Sequence, residues 1–158
     1  MALRSKILDP KAAAARLEAM CARSEQCTFD LLRKLAAWGI ASAEAQRIVQ
    51  SLEAQGFVDD ARYAEAFVRD KYRFARWGVY KIRMHLSARR ISSSDIESAL
   101  RSVDTDEYYS LLLSALRSKA RTLSPDLLTT PEGRAKLMRF AISRGYESSL
   151  VSRAIREL

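Results

Sequence analysis

The chain has 158 residues, 48% of them hydrophobic, with 27 basic and 19 acidic side chains for a formal net charge of +8. That apolar content supports a packed core rather than disorder, and few Gly and Pro among many Ala, Leu, Arg and Glu favour helix over strand. No apolar run approaches the roughly 20 residues needed to cross a bilayer, and the opening Met-Ala-Leu-Arg-Ser-Lys-Ile-Leu-Asp-Pro lacks a signal-peptide core, so a cytoplasmic protein is expected.

The first helix is expected to open at Asp9-Pro10, an N-cap followed by Pro at the first helical position, and to run through Ala12–Met20. Cys21 and Cys27 follow, too few and without the His or Cys partners of a zinc site, and are expected to remain thiols. Leu31, Leu35, Gly39-Ile40, Ala45 and Val49 then place apolar residues four apart on either side of a glycine, the pattern of helix, tight turn, helix. Asp59 and Asp60 are read as caps of the next helix rather than as a metal-binding pair, since no third acid or His accompanies them. Its apolar face is expected from Tyr63, Ala66, Phe67 and Phe74.

The helix-turn-helix pattern recurs at Ile82, Leu86, Arg90-Ile91, Ile96 and Leu100, where Arg stands in the glycine position and either forms a different cap or takes the left-handed conformation. A capping box is expected at Ser94-Asp-Ile-Glu97. Thr105 is expected to cap a helix with Tyr108, Leu111, Leu112, Ala115 and Leu116 on one face; residues 122–130 read as a loop, and Thr129 and Glu132 as a second capping box. The pattern returns a third time at Leu137, Ala141, Gly145-Tyr146, Val151 and Ile155. The expectation is therefore an all-α fold, an elongated array of three tandem three-helix repeats spanning 9–57, 58–103 and 104–158, stacked because units of this size are marginal alone.

Charge is unevenly spread along this array. Residues 1–57 carry 8 basic and 6 acidic side chains, residues 58–91 carry 9 and 4, and residues 92–158 carry 10 and 9, so the excess sits in the middle unit. The candidate binding residues are its basic and aromatic run: Arg69, Lys71, Arg73, Arg76, Trp77, Tyr80, Lys81, Arg83, Arg89 and Arg90. Arg and Lys neutralise phosphates, while Trp and Tyr stack on unpaired bases or pack in a protein groove. No Walker-type phosphate loop or dinucleotide fingerprint appears. The single histidine, His85, has no partners for a triad or metal site, so neither catalysis nor a cofactor is expected.

The stretch Gly56-Phe-Val-Asp-Asp-Ala-Arg-Tyr-Ala-Glu-Ala-Phe-Val-Arg69, with Arg76-Trp-Gly-Val-Tyr-Lys-Ile-Arg83 and Leu86-Ser-Ala-Arg-Arg-Ile91, resembles the RecX family, whose middle repeat carries two Asp, an Arg-aromatic-Ala step, Gly-x-x-Lys/Arg-Ile and Leu-x-x-x-Gly-Ile. Arg90 departs from the family's usual Gly, and the first repeat has Cys27-Thr-Phe-Asp30-Leu31 where the others have Gly-x-x-Lys-apolar. The resemblance implies a non-enzymatic regulator that binds the RecA nucleoprotein filament, along its helical groove, and mostly inhibits ATP hydrolysis and strand exchange. It also implies weaker contact with single- or double-stranded DNA. A monomer is expected, since nothing forms a long heptad seam. A sequence-specific helix-turn-helix DNA-binding protein, or a helical adaptor that binds only protein, are the alternatives.

Overall fold

In the computed structural model, which describes residues 8–158, the chain forms nine α-helices and one short 3₁₀ turn, with no strand among the described residues. Residues 1–7, where most of the signal-peptide reading falls, lie outside the described residues. The helices are α1 (Pro10–Arg23), α2 (Thr28–Ala37), α3 (Ser42–Ala54), α4 (Asp60–Arg73), α5 (Val79–Ala88), α6 (Ser93–Arg101), α7 (Thr105–Ala120), α8 (Pro131–Ser143) and α9 (Ser148–Arg156). They make three tandem three-helix units.

One turn recurs between the second and third helix of every unit. Gly39, Arg90 and Gly145 adopt positive φ of 81°, 57° and 92°. The next residue's N–H then reaches back five positions: Ile40 to Leu35 O at 3.0 Å, Ile91 to Leu86 O at 3.2 Å and Tyr146 to Ala141 O at 3.2 Å. This is the Schellman closure, and in each unit the two residues it links are both buried. Arg90 thus takes the left-handed conformation open to glycine at little cost. Its guanidinium lies 5.5 Å from the Phe29 ring and recovers part of that strain. Arg90→Gly is expected to stabilise the protein by about 0.5–1 kcal/mol in urea unfolding; a loss of stability would show that the Phe29 contact outweighs the strain.

The expected apolar row of each helix pair is buried, apart from half-buried Leu100 and Ile155. On α7, Tyr108, Leu112 and Leu116 are buried while Leu111 and Ala115 are half-buried. The leading helix α4 differs from expectation. Its buried row is Ala64, Val68 and Tyr72, flanked by half-buried Tyr63 and Phe67, because small side chains let α6 approach closely; Phe74 is 80% exposed.

Several caps fall one or two residues from their expected places. Ser92, not Ser94, accepts from Asp95 N–H at 3.1 Å, Asp104, not Thr105, accepts from Glu107 N–H at 2.9 Å, and Thr130, not Thr129, accepts from Gly133 N–H at 3.1 Å. Asp9 precedes α1 as expected but makes no side-chain cap bond. Asp59 caps α4 through Arg62 N–H. Asp60 instead accepts from the N–H and hydroxyl of Thr28, both at 2.8 Å, and so caps α2 from another unit.

The buried residues form two clusters. One draws on the first unit, from Ala13 to Leu52, together with Val58 of the second; the other runs continuously through the second and third units and takes in Cys27 of the first, with Phe29 packed against it. The first and second units meet through these exchanged apolar residues and through a polar seam, where Arg62 pairs with Glu25 at 2.7 Å and Arg89 with Asp30 at 3.3 Å beside the Thr28–Asp60 contact. The second and third meet backbone on backbone: Gly78 N–H donates to Arg144 O at 2.7 Å and Tyr80 N–H to Gly145 O at 3.0 Å. The Tyr108 hydroxyl completes that seam, donating to Glu147 at 2.6 Å and accepting from Val79 N–H at 3.1 Å.

Candidate functional site

Two helical rows with a spacing of four residues build the most prominent feature of the second unit. Tyr63, Phe67 and Lys71 succeed one another along α4, while Trp77, Lys81, His85 and Arg89 succeed one another along α5 and its two flanks. The rows meet side by side. Trp77 stands edge-on to Phe67 at 6.1 Å between ring centres, and His85 lies 4.6 Å from Trp77 and 6.5 Å from Phe67. The Lys71 ammonium is 4.8 Å and the Lys81 ammonium 4.3 Å from the Trp77 ring centre, and the Arg89 guanidinium is 5.7 Å from Phe67. The result is an aromatic strip bordered by three cations and half open to solvent.

Trp77 is set in place by the end of α4. Arg76 is held at φ 56°, and the Trp77 N–H donates to Lys71 O at 3.0 Å, turning the chain so that the indole falls between the two lysines. An indole packed beside Phe67 and His85, with two ammonium groups over its ring, offers apolar area together with phosphate or carboxylate recognition.

His85 belongs to this strip as a packing group. Burial, and then the nearby Arg89, Lys81 and Lys71, push its pKa below the ordinary 6.5, so the imidazole is neutral near pH 7. The unfolded chain takes up the proton at a higher pH than the folded one, so this group's contribution to stability is present above pH 6.5 and is lost as pH falls through the lower, folded value. Between pH 7 and 5, His85→Gln is therefore expected to lose less stability than the unaltered protein; parallel pH profiles would contradict the assignment.

The structure brings together Lys71, Trp77, Lys81 and Arg89, and places the remaining candidates elsewhere. Arg69 and Arg73 lie on another face of α4, lining a depression with Glu65, Tyr72 and Ser102. There Arg73 holds Glu107 with two bonds, at 2.9 and 3.3 Å. Arg83 holds Glu97 in the same way, at 2.9 and 3.4 Å. Arg76 donates to Leu111 O at 3.5 Å across the seam, and Arg90 serves the turn. Tyr80 is 58% exposed, and Met84, one turn further along α5, is 62% exposed.

Sequence reasoning missed Phe67 and His85 as members of the strip and Met84 as an exposed apolar neighbour of Tyr80. The spacing-of-four rows were the signal for the first two; for Met84 the signal was its place two residues from both Ile82 and Leu86, on the opposite face of α5.

Cys27 is fully buried and its thiol is pushed up to about 12 by burial, so it is an unreactive core group. No cluster of three or more His, Cys, Asp or Glu among the described residues is placed to hold a metal ion. No helix among them is long and apolar enough to cross a membrane.

Comparison with known proteins agrees with this architecture. Family models described as the RecX second and third three-helix domains match residues 59–100 and 106–155. A regulatory protein RecX of Chromohalobacter salexigens is 32% identical over 136 residues, covering 86% of each chain. One of Pseudomonas entomophila is 28% identical over 152 residues, covering 96% of this chain and 95% of the other. Among solved structures, a crystal structure of regulatory protein RecX superposes with a TM-score of 0.82 at 22% identity, covering 94% of this chain and 73% of that one. RecX from Lactobacillus salivarius superposes with a TM-score of 0.77 at 16% identity, covering 94% and 96%. At those identities the superpositions establish the fold alone.

Proposed function

This chain belongs to the RecX family of regulatory proteins, and from that premise we propose that it binds the RecA nucleoprotein filament along its helical groove and lowers recombinase ATP hydrolysis and strand exchange without chemistry of its own. The three units, 9–57, 58–103 and 104–158, would lie successively along the groove of a filament assembled in the cytoplasm, one monomer bridging neighbouring recombinase subunits. The observation that carries this reading is the Trp77 strip with the Lys71 and Lys81 ammonium groups over its indole. An elongated chain bearing a cationic aromatic strip on its middle unit suits a long, acidic partner, because several modest contacts along one rigid ligand add up to strong binding. The exposed Tyr80 and Met84 on α5 supply apolar area for a protein surface beside that charge.

The direct test is binding of the fluorescently labelled chain to RecA filaments assembled on single-stranded DNA. The expected result is tight binding that saturates below one chain per recombinase subunit and falls with salt. Binding to bare DNA as tight as binding to the filament would overturn the proposal and favour a DNA-binding protein.

A further inference from the structure

The Trp77 strip runs up to the first unit and meets it at Arg89. Beyond Phe67 the aromatic row continues to Tyr63, whose ring centre lies 5.8 Å from that of Phe67. Of the three cations bordering the strip, Lys71 and Lys81 have no carboxylate within 4.0 Å among the described residues, whereas Arg89 is held by Asp30, a residue of the first unit. The Arg89 Nε–H donates to the Asp30 carboxylate at 3.3 Å, while Arg62 and Glu25 across the same seam stand at 2.7 Å. A charge-assisted bond is roughly 2.7–2.9 Å long when fully formed, so the Arg89–Asp30 pair is a loose one. It is also within reach of solutes, with 31% of the Arg89 side chain and 29% of the Asp30 side chain exposed.

Asp30 has a second place to turn. It lies in the first turn of α2, with Arg33 and Lys34 three and four residues further on, the spacing at which opposite charges on one helix pair. All three line one open depression of about 420 Å³ with Gln26 and Ala37. Neither Arg33 nor Lys34 has a carboxylate within 4.0 Å among the described residues. Rotation of the Asp30 side chain therefore trades one ion pair for another. Packing does not enforce the first choice, because no helix of the first unit packs on one of the second as extensively as α4 packs on α7.

We infer that Asp30 is an internal competitor for the Trp77 strip: in the free chain its carboxylate occupies Arg89, and a carboxylate of an acidic protein surface displaces it towards Arg33 and Lys34. The contact is autoinhibitory, since it withholds one of three cations from the partner. The occupant that the chain itself supplies is a carboxylate, and the exposed Tyr80 and Met84 beside the strip suit a protein surface. The inference rests on the reading of the strip as the partner-binding surface and adds that the first unit regulates it.

The experiment is a double-mutant cycle on the full chain at low salt, read in two ways: binding to RecA filaments, and quenching of Trp77 fluorescence by a short polyglutamate peptide in a chain whose other indole is removed by Trp38→Phe. Asp30→Asn keeps the shape of the side chain and removes its charge. It should tighten both interactions by about 3–5-fold, what one partly exposed ion pair is worth. In an Arg89→Gln background the same substitution should change neither. Glu44→Gln, which removes an equal charge from the pair with Arg47 on α3, should leave both affinities unaltered. Equal polyglutamate affinity in Asp30→Asn and the unaltered chain would overturn the proposal, as would absence of any quenching. A gain that persists with Arg89→Gln, or an equal gain from Glu44→Gln, would also overturn it, because net charge alone would then account for the effect. A cycle that holds with polyglutamate while no variant binds filaments would overturn the filament reading and uphold the Asp30 contact.

Discussion

Gly145→Ala is expected to lower the unfolding free energy by about 3–4 kcal/mol, the sum of left-handed strain and backbone overpacking, and the melting temperature by roughly 10 °C. Two effects act at one residue. Gly145 sits at φ 92°, and a Cβ there would fall 2.4 Å from the Lys81 Cβ and 2.5 Å from its backbone N. Neither atom is the end of a flexible side chain, so α5 would have to withdraw from the turn between α8 and α9. Gly78 faces the same seam, with its own added Cβ 2.2 Å from Gly145 C. Relief would break the two backbone bonds that join the units and loosen the bond from Val79 N–H to the Tyr108 hydroxyl. Gly56 provides the control. It has φ +80° with nothing within 4 Å of an added Cβ, so Gly56→Ala should cost only the strain, about 1–2 kcal/mol. Equal melting temperatures for the two variants would show that the seam is not tightly packed.

The second large effect is functional. Lys71→Glu with Lys81→Glu is expected to weaken filament binding by about 100-fold at low salt. Both ammonium groups flank one indole at 4.8 and 4.3 Å, so the double reversal turns the strip from cationic to anionic where the proposal places an acidic partner. Melting should barely change, because neither lysine is fully buried and neither has a carboxylate partner within 4.0 Å among the described residues. The loss should shrink at high salt as the charges are screened. A variant that binds filaments as the unaltered chain does would remove the Trp77 strip from the interface. Arg73 and Arg76 are poor choices for the same experiment, since Glu107 and Leu111 O already engage them at the seam.

The fold was legible because each unit repeats one local rule. Leu35 before Gly39, Leu86 before Arg90 and Ala141 before Gly145 are each followed by an apolar residue that closes the same turn, and this needs only sequence-local spacing. The caps slipped by a residue or two where neighbours were chemically equivalent: Ser92, Ser93 and Ser94 all carry a hydroxyl, and only backbone conformation selects the first. The α4 face was misplaced because Phe67 and Phe74 outweigh Ala64 and Val68 in hydrophobicity, while close approach of α6 rewards the small side chains.

The site was legible only in part. Lys71, Trp77, Lys81 and Arg89 share a helical spacing that brings them together, so periodicity contained the answer. Counting charge alone included Arg73 and Arg83, whose acidic partners lie 34 and 14 residues away and appear only once the helices pack, Glu97 within the second unit and Glu107 across to the third. Asp60 likewise reads as a local cap, yet Thr28, 32 residues back, claims its carboxylate.

The central claim is tested most directly by RecA-dependent, single-strand-stimulated ATP hydrolysis with the full chain titrated in at low and high salt. The account predicts inhibition at well below one chain per recombinase subunit, lost in Lys71→Glu/Lys81→Glu at low salt. Hydrolysis that continues undiminished at one chain per subunit would contradict it.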